Sequence, residues 1–214
     1  MSKHVSETGW VNYKAFIKDS NRLNVYLNSL SRNAPQANWT QNEEMAYWIN
    51  AYNAFTIQLM IRNPGVNSIK EIGGKIPFIN STWDLKFISI DEKKYDLNNI
   101  EHGILRKKFK DPRIHMVLVC ASKSCPALLN QAFTADQLQS QMDLCSRRFL
   151  SDVTRNVISE KEIKLSNIFN WYQDDFGGKK GLHLFIQKYG PIAKLDPKIQ
   201  IEYLDYDWTL NGQY

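Results

Sequence analysis

The sequence predicts an α+β fold, a single compact domain with a central buried helix, further helices and a small, mostly antiparallel sheet. Three observations predict it. A long apolar run, Met45 to Ile61, recurs at helical spacing and reads as an amphipathic helix. Two short alternating patterns, Leu85–Leu97 and Arg155–Leu165, read as hairpins. These hairpins stand apart from the helical stretches and do not alternate with them as βαβαβ units would. No Pro/Ser/Gly-rich linker divides the 214 residues. One globular domain over 9–214 is expected, after a short N-terminal tail of residues 1–8.

The elements follow in order. "GWVNYKAF" (Gly9–Phe16) reads as a short extended segment. Ser20–Leu30 reads as a helix with Leu23, Tyr26, Leu27 and Leu30 on one face. Thr40 and Glu43 form a capping-box pattern that opens the central helix, and "RNPG" (Arg62–Gly65) ends it. A helical turn is expected near Ser68–Ile72. The first hairpin is expected to turn around "EKK" (Glu92–Lys94). "LNNIEHGILRKKF" (Leu97–Phe109) reads as a short helix capped by Asn98 or Asn99.

"RIHMVLVC" (Arg113–Cys120) is the most strand-like stretch of the chain. Thr134 and Gln137 are expected to cap a helix reaching about Asp152, with Leu138, Met142, Cys145, Phe149 and Leu150 inward. Ser166 is expected to cap a helix through "NIFNWYQDDF", stopped by Gly177 and Gly178. A further helix covers Leu182–Tyr189, and "KIQIEYLDYDW" (Lys198–Trp208) reads as a strand or extended arm.

Composition sets limits. Hydrophobic residues make up 43% and aromatics 12%, which excludes a disordered or fibrous class. The net charge is +5, but Lys and Arg are spread out, and the densest run, "LRKKFK" (Leu105–Lys110), is short. That is a solvated face and not a nucleic-acid-binding stripe. No run of about 18 apolar residues exists, so no membrane span is expected. No leader peptide opens the chain, and a start so close to the first element also suits an exported, periplasmic protein trimmed of its leader. The compartment stays open between that and the cytoplasm. Three cysteines allow one disulfide at most, which excludes a disulfide scaffold.

Five blocks together are distinctive: "AYWINAYNAFTI", "IEHGILR", "DPRIHMVLVCASKSCP", "FNWYQDDF" and "YLDYDWTLN". In this order and in their content of Trp, His, Cys and Asn, the chain resembles the family catalogued as domain of unknown function 547. The resemblance runs from about Gly9 to Asn211. It implies a bacterial or eukaryotic domain, sometimes attached to other modules. It carries over no activity and no substrate, so function is argued from the site.

Cys125 is the leading candidate nucleophile. Pro126 suits the first position of a helix, which would make Cys125 its N-cap. There the helix dipole and free N–H groups would lower the thiol pKa and hold an oxyanion. Cys120 would end the strand. Strand alternation puts Arg113, His115, Val117 and Val119 on one face and Cys120 on the other, so His115 and Cys120 would not meet and Cys120 would be core.

His115 or His102 would serve as the base for Cys125. Glu101 and His102, adjacent on a helix, would diverge by about 100° and not pair, and one of them would face Arg106. Asp207 would orient a histidine, or else pair with Arg106 or Arg113. Asn50 and Asn53 would brace a histidine, line a pocket or cap a neighbouring loop. Tyr172 and Asp175 in "NWYQDDF" offer further groups of that kind. The spacings H-x12-H and C-x4-C match no zinc pattern and no C-x-x-C redox pair, so neither a metal nor another cofactor is expected.

Two functions compete. One is a thiol-dependent hydrolase or acyl/amide transferase acting on a small-molecule or peptide substrate. The other is a non-enzymatic binding or interaction module in which the His, Cys and Asn residues are structural.

Overall fold

The computed structural model describes residues 2–73, 81–192, 194–196 and 198–214. The architecture is α+β, with seven α-helices and three small sheets among the described residues. The helices are α1 (Tyr13–Lys18), α2 (Ser20–Arg32), α3 (Gln41–Arg62), α4 (Arg106–Phe109), α5 (Leu138–Leu150), α6 (Ile168–Trp171) and α7 (Gly178–Tyr189). The strands are β1 (Val11–Asn12), β2 (Ile88–Ile90), β3 (Lys93–Tyr95), β4 (Val157–Ile158), β5 (Ile163–Ser166), β6 (Ile201–Leu204) and β7 (Gly212–Gln213). In place of one sheet, β2–β3 and β4–β5 form antiparallel hairpins, β6 joins β5 in parallel, and β7 pairs with β1 in parallel.

Helix α3 is the centre. From Met45 to Met60 every residue but Asn50 is buried, so the helix is enclosed on all faces and not amphipathic. A 22-residue helix with an apolar surface all round belongs inside a core. Its start is fixed by the capping box: Thr40 N donates to Glu43 Oε2 at 2.7 Å, and Glu43 N donates to Thr40 Oγ1 at 3.3 Å. Thr40→Ala removes half of that pair on an exposed turn and should lower unfolding free energy by about 1 kcal/mol, read by urea denaturation; an unchanged midpoint would show the cap to be dispensable.

Several local expectations give way to tertiary contacts. "GWVNYKAF" is only briefly extended: β1 holds two residues, and Asn12 then caps α1 by accepting from Ala15 N at 2.8 Å. The first hairpin turns one residue earlier than expected, at Asp91 and Glu92, both in the left-handed region that a two-residue hairpin turn demands. Asp96, not Asn98 or Asn99, caps the "NNIEHGIL" helix, its Oδ1 accepting from Asn99 N at 2.5 Å. Asn98 instead donates to Asp84 at 2.7 Å. The N-terminal segment is packed in: Val5 is buried and bridges Val11, and His4 meets Asp19 at 3.1 Å.

The largest difference lies at "RIHMVLVC". It forms no strand. Asp111 and Pro112 start a 3-10 turn over Pro112–Met116, after which the chain runs irregularly. The reason is a side chain: Asn53 on α3 donates to Val117 O at 2.8 Å and accepts from Val119 N at 2.9 Å. One amide takes the place of a neighbouring strand. Pro126 likewise starts no helix, and residues 126–129 are irregular.

Candidate active site

The loop from Val117 to Phe133 carries both Cys120 and Cys125, and α3 pins its two ends. Asn53 holds Val117 and Val119, as above. Asn50, one turn away on the same face, donates to Phe133 O at 2.8 Å and accepts from Phe133 N at 2.9 Å. Both asparagines therefore brace backbone; neither touches a histidine. The middle of the loop is zipped to the C-terminal segment: Lys123 N donates to Thr209 O at 2.8 Å, Ser124 N to Asp207 O at 3.2 Å, and Asn211 N to Ala121 O at 3.0 Å. Ala121 turns the chain with a φ of 60°. Gly9, at φ +82°, lets its backbone lie against Ala127 and Leu128, where a Cβ would stand 2.7 Å from both.

This zipper delivers Tyr206 to Cys125. The Cys125 sulfur accepts from Cys120 N at 3.0 Å, Tyr206 Oη at 3.2 Å and Ser122 Oγ at 3.3 Å. Burial pushes the Cys125 thiol up, but the Cys120 thiol, Ser122, Tyr206 and the Cys120 amide outweigh it, and the net direction is downward. The expected helix N-terminus has no part in this, because none exists there. Cys120 is pushed up by donating towards Cys125 and by burial, and Tyr206 by burial first and then by the two cysteine sulfurs beside it. Cys120, expected as core, is only half-buried and lines the same cavity as Cys125 and His115.

The cavity measures about 280 Å³. Its apolar wall includes Tyr52, Leu118, Ile168 and Trp171, and its polar lining includes Glu101, His102, His115 and Tyr206. The strand argument that kept His115 and Cys120 apart fails with the strand. His115 is 4% exposed, stacks on Tyr172 at 3.9 Å between ring centroids, and places Nε2 2.7 Å from Asp175 Oδ2. Burial lowers the pKa of His115 below its ordinary value against the pull of Glu101 and Asp175, so at neutral pH the bond runs from a neutral imidazole N–H to a carboxylate. With Nε2 committed to Asp175, Nδ1 keeps the lone pair. Among the described residues Nδ1 has no hydrogen-bond partner.

Asp175 is fixed from its other side. Arg106 Nε meets Oδ2 at 2.5 Å and Arg106 Nη2 meets Oδ1 at 2.9 Å, a two-pronged pair. Burial acts to raise the Asp175 pKa, but Arg106 and His115 outweigh it and hold the carboxyl below its usual range. Arg106 Nη1 also reaches His102 Nδ1 at 2.9 Å. His102 and Glu101 stand 3.9 Å apart, too far for a hydrogen bond. These residues leave a π-helical stretch, Asn99–Leu105, whose wider turn sets Glu101 and His102 beside Arg106. Glu101 is buried and accepts from Tyr172 Oη at 2.9 Å.

Two expected partners lie elsewhere. Asp207 accepts from its own turn, Thr209 N at 2.8 Å and Thr209 Oγ1 at 2.6 Å, and meets no histidine or arginine. A short Asp-x-Thr turn satisfies it locally. Arg113 pairs with Asp111 at 2.6 Å and Asp143 at 2.7 Å, away from the cavity. Of the groups that do the orienting, Asp175 is one of the two "NWYQDDF" residues the sequence offers for such a role, whereas Tyr206 is missed and sits one position before the candidate Asp207. Three groups of chelating type in suitable proximity are absent among the described residues. No helix there is long and apolar enough to cross a membrane.

A family model described as protein of unknown function, DUF547, matches residues 36–150. That is more than half of the chain, though shorter than the stretch from Gly9 to Asn211 over which the motifs resemble the family. It takes in Glu101, His115, Cys120 and Cys125, and leaves Tyr172, Asp175 and Tyr206 outside. Searches of curated proteins and of solved structures return no match.

Proposed function

The chain belongs to the DUF547 family, described only as of unknown function, and from its site geometry we propose a thiol-dependent hydrolase or acyl transferase with Cys125 as nucleophile and His115 as base. The observation that carries this reading is the Cys125 sulfur, which accepts three hydrogen bonds at the wall of a cavity shared with an Asp175-oriented histidine.

In the proposed reaction His115 Nδ1 takes the Cys125 proton, with substrate or water between them. Sγ attacks the carbonyl carbon of an ester or amide. The sulfur–carbon bond forms while the carbonyl π electrons move to oxygen. The Tyr206 hydroxyl, freed from the sulfur as its charge is spent, is positioned to donate to that oxygen. Collapse expels the leaving group, which takes the proton back from His115. Water, or an acceptor amine or alcohol, then attacks the thioester with His115 again removing the proton; the carbon–sulfur bond breaks, the acyl product leaves, and the Cys125 sulfur takes that proton back from His115. Asp175 holds the ring in one tautomer throughout.

Iodoacetamide tests the nucleophile. Alkylation follows the thiolate fraction. Because the Cys125 pKa is lowered, its alkylation should stay fast below the range near 8.5 where an ordinary thiol ionises, and fall only at more acid pH. Cys145, pushed up to about 11 by burial, supplies the internal control and should stay unmodified at neutral pH. A Cys125 that reacts at pH 7 no faster than a free thiol sinks the proposal. If His102→Ala, His115→Ala and Cys125→Ala all lose stability together, the residues are structural and the interaction-module reading takes over.

A further inference from the structure

The remaining buried charge of the cavity is Glu101. It is 7% exposed. One carboxylate oxygen accepts from Tyr172. The other oxygen has no hydrogen-bond partner among the described residues, and Glu101 lines the cavity. A mostly buried carboxylate with one oxygen open to the cavity favours a donor that brings positive charge. The basic side chains beside it are otherwise engaged: Arg106 is fixed on Asp175, and His102 Nδ1, 3.9 Å from Glu101, is bonded to Arg106.

The walls agree with a cation. The lining carries Tyr52, Trp83, Trp171, Tyr172, Tyr206 and Trp208. Trp171, Tyr206 and Trp208 pack on each other with centroids 4.5 to 5.8 Å apart. Trp171 is 46% exposed, large for a ring of that size. The cluster already accepts an ammonium: Lys70 Nζ lies 3.8 Å from the Trp208 centroid. Aromatic faces around a carboxylate recognise amines through cation–π attraction and one charged hydrogen bond.

We infer that Glu101 and the aromatic walls form a subsite for a positively charged amino group of the substrate, so that the cavity takes acyl compounds bearing a free amine, such as a peptide with an unblocked N-terminus. The inference rests on reading the cavity as the acyl-transfer site, but binding is measured apart from the chemistry. The amine seats against the open oxygen of Glu101, and the carbonyl next to it is then presented towards Cys125. Acetylation of that amine removes its charge and two of its three N–H donors.

Equilibrium dialysis of the whole protein against phenylalaninamide and N-acetylphenylalaninamide tests it without any turnover. The free amine should bind at least about tenfold more tightly, a difference of about 1.4 kcal/mol. Nα-acetyl-lysinamide, whose amine is on the side chain, distinguishes the source: weaker binding than phenylalaninamide assigns the subsite to an α-amine, and stronger binding to a lysine side chain. Glu101→Gln keeps the acceptor for Tyr172 and should erase the preference for free amine. Equal binding of the acetylated and free amides to the wild-type protein, or no binding of any amine, overturns the inference whatever the variant does. Failure of Cys125 to alkylate faster than a free thiol would overturn the acyl-transfer reading and leave a measured amine preference standing.

Discussion

His115→Gln is expected to lower Cys125-dependent hydrolysis of a p-nitrophenyl ester by about 10²- to 10⁴-fold, the range a positioned general base contributes. The imidazole is held by Asp175 at 2.7 Å and by stacking on Tyr172, so little of its geometry is left to chance. Asp175→Asn should also act through His115, and with a distinguishing signature. Asp175 raises the His115 pKa against burial. Removing that carboxylate lets the imidazole pKa fall further, so the acid limb of the pH–rate profile, where His115 gains a proton, should move to lower pH. A variant that loses rate with an unmoved limb would show that Asp175 acts only by shaping the fold. Because Arg106 loses its partner as well, the thermal midpoint is measured alongside. A His115→Gln variant that keeps more than a tenth of the wild-type rate would remove His115 from the mechanism.

The largest stability effect is expected at Asn53. Asn53→Leu has nearly the right volume and suits the apolar surroundings of α3, yet it strands Val117 O and Val119 N, both buried. Each orphaned buried group costs about 1–3 kcal/mol, so a loss of about 2–6 kcal/mol is expected by urea denaturation. The same change frees the start of the cysteine loop and should slow alkylation of Cys125 in the still-folded fraction. A loss under about 1 kcal/mol would mean that water or a relaxed backbone replaces the amide.

The sequence by itself determined what depends on neighbours along the chain. The capping box at Thr40 and Glu43, the apolar run of α3 and both hairpin pairings are local patterns, and they lie where those patterns placed them but for the early turn of the first hairpin. The "NIFNWYQDDF" helix is cut short: α6 ends at Trp171, and a 3-10 turn over Gln173–Phe176 runs to the stop at Gly177. The family was also legible, because its blocks of Trp, His, Cys and Asn are themselves sequence. Tertiary structure decided whatever a distant partner supplies. "RIHMVLVC" has the composition of a strand but no strand beside it. Asn53, 64 positions away, takes its carbonyl, and the segment bends to meet that side chain.

The site follows the same division. Cys125 and His115 could be singled out as chemical groups, but what tunes each lies far along the chain: Tyr206 is 81 positions from Cys125, and Asp175 is 60 from His115. A thiol pKa and an imidazole tautomer are set by the donors and acceptors within about 3 Å, and only the folded chain says which those are.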